Sequence, residues 1–153
     1  MRSWLLGLCC ISTVAFAELP VEVRDAWVRE APPSASVNAG YLVLHNNSDQ
    51  VQHLQHIQSK QFRAVEMHET IMEADVAKMR EVHDLAIPAG GEVEFQSGGY
   101  HLMLMEPLNA IKAGAQVSVI LHFASGLEIP IVMLVKKADD QTGDQSNEHH
   151  HHH

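Results

Sequence analysis

Short segments of alternating hydrophobic and polar residues follow one another from Val21 to Val135, with turn residues between them. A period of two is typical of strands that bury one face, and short strands at even spacing favour an antiparallel sandwich or barrel. We find no convincing amphipathic helix longer than two turns, so the predicted fold class is all-β. The predicted strands span 21–29, 40–45, 51–58, 64–68, 77–82, 92–95, 100–107, 116–124 and 127–135. Residues 69–76 are expected to be a connection, and residues 85–91 lead into the strand 92–95.

Both ends of the chain differ from this pattern. Residues 1–17 combine a single Arg2 with a short apolar run that ends in Ala15-Phe16-Ala17, the layout of a secretory signal peptide with its cleavage site. The run is shorter than the roughly 20 residues that a transmembrane helix requires. Residues 138–153 are polar, end in five histidines and are expected to be a disordered tail. The folded domain is therefore predicted to span 18–137, in an exported protein whose mature chain has no membrane span.

Cysteine content and net charge exclude several classes of chemistry and of binding partner. The only cysteines, Cys9 and Cys10, lie in the predicted signal peptide, so the mature domain is expected to hold any metal without thiolate and to perform no thiol–disulfide chemistry. The formal net charge is −9, and removal of Arg2 makes it one unit more negative. An acidic protein is a poor candidate for binding nucleic acid or anionic membrane surfaces.

Twelve histidines and seven methionines are the unusual part of the composition. His101 and Met103 are alternate residues of one predicted strand and so share a face. Imidazole and thioether together suit copper(I) far better than calcium or magnesium, and better than zinc. Taken alone, the pair is explained even better by packing than by copper(I) binding, with Met103 in the core and His101 as a polar residue at the edge of the strand. Upstream, however, ten residues separate His68 from Met79, and twenty-one separate Met79 from His101.

This spacing, His-x10-Met-x21-His-x-Met, resembles the signature of the PCuAC family of periplasmic copper chaperones. The four positions match without insertion or deletion. Further resemblance, between Val21 and Val135, lies in the segments Ala26 to Arg29, Pro32-Pro33, Ala39 to Leu42, His45-Asn46, Val65 to Thr70 and Gly98 to Leu104, and in the closing hairpin.

The resemblance implies a cupredoxin-like Greek-key sandwich that binds one copper(I) ion through His68, Met79, His101 and Met103. It also implies delivery of copper to the CuA site of cytochrome oxidase or a related acceptor outside the cytoplasm. A thioredoxin-like copper protein or a thiol reductase is a possible further partner. Two thioethers and two imidazoles agree with this, because they bind copper(I) without adding negative charge and disfavour copper(II).

An enzyme is not expected, because no residue set resembles a nucleophile with its base. A blue-copper electron carrier is excluded for the mature chain by its lack of a thiolate ligand. Two other readings stay open: a storage or detoxification protein with the same site, and a structural sandwich in which the four positions coincide by chance.

Other donors are weighed against plain packing. Met72 and Met105 are candidate auxiliary ligands, although such methionines more often fill gaps or are exposed. Met67 and Met133 are expected to pack in the core. The strand histidines are expected to be surface or hydrogen-bonded residues: His45, His53, His56, His83 and His122. A weak surface site at His53 and His56 is the less favoured alternative. Glu66, Glu69 and Glu73 are expected to form a solvated acidic face.

The five-histidine run His149 to His153 has two readings. It is either a purification tag or a natural tail that would collect copper(II), nickel or zinc.

Overall fold

The computed structural model describes residues 18–137, and every regular element in that range is a β-strand. The strands are β1 (Val21–Arg29), β2 (Val37–Asn46), β3 (Gln52–Ser59), β4 (Phe62–Glu73), β5 (Val76–Glu81), β6 (Leu85–Ile87), β7 (Glu92–Phe95), β8 (Tyr100–Pro107), β9 (Gln116–Phe123) and β10 (Glu128–Lys136). The all-β prediction is therefore confirmed. The predicted signal peptide and the predicted tail lie outside the described residues.

The strands close into a barrel. Eight of them run in the order β4-β8-β7-β2-β1-β10-β9-β3, and pairing of Ile57 in β3 with Val65 in β4 joins the two ends. β5 extends the sheet beyond β4, and β6 pairs with β3. Two pairs, β1–β10 and β7–β8, are parallel, while the others are antiparallel. Within residues 18–137, no helix is long and apolar enough to cross a membrane.

One predicted connection is wrong. Residues 69–76 belong mostly to β4 and β5, which form a long hairpin with a tight turn at Ala74 and Asp75. Both turn residues have positive φ, 47° and 65°, as a two-residue hairpin turn requires. Cross-strand ion pairs support the arm and explain its polar sequence: Glu69 with Arg80, and Glu73 with Lys78. Polar residues here therefore mark a solvated sheet extension instead of a loop.

The interior is filled by alternate residues of the barrel strands. On β8, Leu102 and Leu104 are completely buried and belong to the core, which leaves His101 and Met103 on the outer face. Gly40 of β2 lies against these two leucines: a Cβ added there would be 2.9 Å from Leu104 Cδ1 and 3.2 Å from Leu102 Cβ. β2 is thus in close contact with β8, the strand that carries His101 and Met103.

Candidate metal centre

Strand register brings the two predicted imidazole ligands together. His68 of β4 and His101 of β8 are direct cross-strand partners, and their ring centroids are 6.0 Å apart. Met103 follows His101 by two residues and therefore projects from the same face. Met79 of β5 pairs with Thr70, which lies two residues beyond His68 on β4. All four predicted ligands consequently lie on one outer face, across three adjacent strands.

A pocket of about 320 Å³ opens on this face. Met79, His101 and Met103 line it, together with small side chains that leave space between them, among them Ala39 and Thr70. Ala39 is the β2 partner of Met103, so its short side chain keeps the space beside the thioether open. Three of the four predicted donors thus face one cavity, and His68 borders them through its contact with His101.

The four side chains differ in exposure. His101 is only 9% exposed, and the side chain of His68 is 16% exposed. Met79, by contrast, is 63% exposed on β5, a strand whose residues are all exposed. The site therefore combines imidazoles held in the sheet with one thioether on an accessible arm.

Hydrogen bonding determines which nitrogen of His101 is available. Its Nδ1 lies 3.0 Å from the carbonyl oxygen of Gly99. A carbonyl only accepts, so Nδ1 carries the proton and Nε2 carries the lone pair. Outer hydrogen bonds of this kind orient metal-binding histidines in proteins.

In His68, the other ring nitrogen, Nε2, is the one that has a hydrogen-bond partner. Its Nε2 lies 2.8 Å from Glu66 Oε2, and its Nδ1 is buried without a hydrogen-bond partner. If Nε2 donates to the carboxylate, the unpaired Nδ1 carries the lone pair. A buried acceptor without a partner is unfavourable, and a bound metal ion would satisfy it. His68 and His101 therefore fit a soft metal ion through different ring atoms.

Glu66 was missed as part of the site and was expected in a solvated acidic face. Glu66 is half-buried and pairs across the sheet with Met103. This pair lies next to the His68–His101 pair on the same face. Its position two residues before His68 was the available signal, because alternate strand residues share a face.

The neighbouring Tyr100 helps to hold the start of β8. Burial raises the pKa of its phenol above the usual value, and the charge of Glu69 and a hydrogen bond to that carboxylate raise it further. Arg80 acts in the opposite direction. Tyr100 is therefore a neutral donor to Glu69 at physiological pH, next to His101 in the chain.

The other methionines and histidines that were weighed as donors lie away from the pocket. Met67 and Met133 are buried in the core, as expected. Met72 is 68% exposed farther along the hairpin, and neither it nor the half-buried Met105 lines the pocket. His53 contacts Asp84, whereas a β-bulge after Leu54 turns His56 towards His122, so the less favoured alternative of a joint His53–His56 site is not supported.

The donor chemistry indicates which metal the face suits. Among residues 18–137, no group of three or more histidine, cysteine, aspartate and glutamate side chains is arranged to hold a metal ion. The face instead offers imidazole with thioether, which suits a soft, monovalent copper ion.

The family described as "Putative lipoprotein LpqE-like" matches residues 21–135. The chain is 30% identical over 141 residues to "Putative lipoprotein Lxx21020" of Leifsonia xyli subsp. xyli, covering 86% of this chain and 84% of that protein. The chain belongs to this family.

Solved structures agree in fold. The solution structure of CuI-DR1885 from Deinococcus radiodurans is 34% identical, with a TM-score of 0.64 and coverage of 78% of this chain and 80% of that one. The copper-bound PCuAC domain of PmoF2 has a TM-score of 0.67 at 20% identity, and the match covers 80% of this chain and 97% of that one. The predicted resemblance to PCuAC proteins and the cupredoxin-like fold class are thereby confirmed.

Proposed function

We propose that this protein is an exported copper(I) chaperone, which binds one ion through His68, Met79, His101 and Met103 and passes it to a copper acceptor outside the cytoplasm. The CuA subunit of cytochrome oxidase is the acceptor class that we propose. The observation that carries the proposal is the convergence of two imidazoles and two thioethers on one outer face, beside an open pocket.

The local geometry supports binding and release at the same site. Two half-buried or buried imidazoles, each with one nitrogen hydrogen-bonded, provide fixed donors. Met79 provides a donor on an exposed strand, where an incoming ligand from a partner could replace it. A centre that held copper permanently would be expected to enclose all of its donors.

The relatives support copper as the cargo. The structure from Deinococcus radiodurans is described as the copper(I) form, and the PmoF2 domain as copper-bound. The lipoprotein description of the Leifsonia protein supports an exported location. Catalysis has no part in the proposal, because donor positions that bind and exchange an ion are sufficient for a chaperone.

The test is an anaerobic titration with copper(I) in competition with a chromogenic copper(I) chelator. The full chain is used with His149 to His153 replaced by serine, so that the terminal histidines do not compete. One tight copper(I) ion per chain is expected. Met79→Leu should weaken binding at least about tenfold, since loss of even an outer partner of a metal ligand costs 10–100-fold.

Met72→Leu is the matched control, because Met72 is equally exposed on the same hairpin but does not line the pocket. It should leave the affinity unchanged. No bound copper, or equal losses in the two variants, would contradict the assignment. Tight binding without transfer to any CuA domain would instead favour storage or detoxification.

A further inference from the structure

Two histidines and a glutamate form a row across three strands on another part of the barrel. His56 of β3 pairs with His122 of β9, and His122 pairs with Glu128 of β10. The residues before and after His122, Leu121 and Phe123, are buried in the core, so this row lies on the outer face. None of the four proposed copper(I) ligands belongs to these strands.

The two imidazoles are in direct contact. Their ring centroids are 4.2 Å apart and their planes differ by 7°. The β-bulge between Leu54 and His56 produces this arrangement, because the extra residue turns His56 over His122. His56 is exposed, so its ring can turn without disturbing the core.

One ring nitrogen of His122 has no hydrogen-bond partner. His122 Nδ1 lies 3.1 Å from Glu128 Oε1, whereas His122 Nε2 is buried and has no hydrogen-bond partner. Donation from Nδ1 to the carboxylate leaves the lone pair on Nε2. A carboxylate on the far nitrogen of a histidine is the usual outer support of a metal ligand, because it fixes the tautomer and increases ligand basicity.

We propose that His56 and His122 form a second metal site, specific for a borderline divalent cation such as nickel(II), copper(II) or zinc(II). The ring of His56 turns so that one of its nitrogens and His122 Nε2 share the ion, Glu128 supports His122 from behind, and solvent completes the coordination. Imidazole suits these ions, and the proposed ligand pair includes no thioether that would favour copper(I). The site is independent of the proposed chaperone function.

The test is a nickel(II) titration followed by two-dimensional NMR, with the copper(I) centre loaded first and His149 to His153 replaced by serine. Paramagnetic nickel(II) should broaden the amide signals of β3 and β9 around His56 and His122. His56→Gln, which removes an exposed ligand and leaves the core intact, should weaken this local binding at least tenfold. Glu128→Gln should weaken it less, because the amide oxygen still accepts from His122 Nδ1.

His83→Gln is the matched control: His83 is exposed and its Nδ1 lies 3.4 Å from Glu81 Oε1, but it forms no ring pair with another imidazole among residues 18–137. It should leave the broadening around His56 unchanged. No local broadening in the parent chain, or broadening that persists in His56→Gln, would show that the stacked pair only packs. Loss of copper(I) binding would leave this result unaffected, so the two proposals fail separately.

Discussion

At the scale of single residues, the candidate copper centre depends on which nitrogen of each histidine is free. Gly99 accepts from His101 Nδ1, and Glu66 accepts from His68 Nε2. The two rings consequently present different atoms, Nε2 from His101 and Nδ1 from His68. In the proposed copper centre, Glu66 would therefore be a positioning residue that acts through His68.

Substitution of Glu66 tests this role. Glu66→Leu removes the acceptor, so His68 should lose its preference for the Nε2–H tautomer and copper(I) affinity should fall about 10–100-fold. Glu66→Gln retains an acceptor oxygen and should keep both the tautomer and most of the affinity. Long-range proton–nitrogen correlation spectra of the copper-free protein report the tautomer directly. A proton on Nδ1 of His68 in the parent protein would refute the assignment.

From the strand period alone, the sequence predicts only that His101 and Met103 share a face, whereas the set of four candidate ligands is what the resemblance to the PCuAC signature implies. His101-Leu102-Met103 alternates, so its donors must share a face. Glu66 and the pairing of His56 with His122 were not predictable in the same way. Strand alternation places Glu66 on the face of His68, but their hydrogen bond depends on the rotamer of His68. The pairing of His56 with His122 depends on a β-bulge, which shifts a strand by one residue and reverses the faces.

At the scale of elements, the strand that carries His101 and Met103 is positioned by its contact with β2. Gly40 allows that contact, because its missing side chain leaves room for Leu102 and Leu104. Any larger residue would push β8 away from β2 or force a buried leucine from its rotamer. The outer face of β8 thus depends on a glycine that points into the core.

Gly40→Ala should destabilise the protein by about 1–3 kcal/mol, as expected for overpacking of a close core contact. Urea unfolding would measure the difference. Gly99→Ala is the control for the loss of a glycine, because its nearest neighbour would be 3.6 Å away, an ordinary contact. A Gly40→Ala variant as stable as the parent would mean that β2 and β8 can separate without cost.

The hairpin of β4 and β5 shows where element prediction from sequence stopped. Strands were predicted at 64–68 and 77–82, but the intervening residues 69–76 are half-buried or exposed and show no hydrophobic alternation that would indicate strands. Its turn, Ala74-Asp75, also lacks the glycine that usually identifies a tight hairpin. Cross-strand ion pairs, which only the folded register reveals, support this arm and the exposed Met79 that it carries.

At the scale of the whole molecule, barrel closure places the two candidate metal sites on different strand groups. The copper(I) face uses β4, β5 and β8, and the paired histidines use β3 and β9. The all-β class followed from the spacing of the strands, but the parallel β1–β10 pair did not. It joins strands from opposite ends of the domain, and no local pattern reports which distant strands meet.

The direction of copper transfer follows from the ligand types of donor and acceptor. The described domain contains no cysteine, so it cannot reduce a disulfide formed by an acceptor's copper-binding cysteines. Thiolates bind copper(I) more strongly than thioethers and imidazoles do, so transfer to a reduced acceptor should run downhill. A separate thiol reductase would have to prepare the acceptor.

Copper-loaded protein mixed with a CuA domain tests this expectation. The dithiol form of the domain should take the copper, and the disulfide form should take none until a reductant is added. Separation of the two proteins, followed by metal analysis of each, measures the distribution. If both forms load equally without reductant, transfer does not depend on the acceptor's thiolates, and the proposed division of labour with a thiol reductase is wrong.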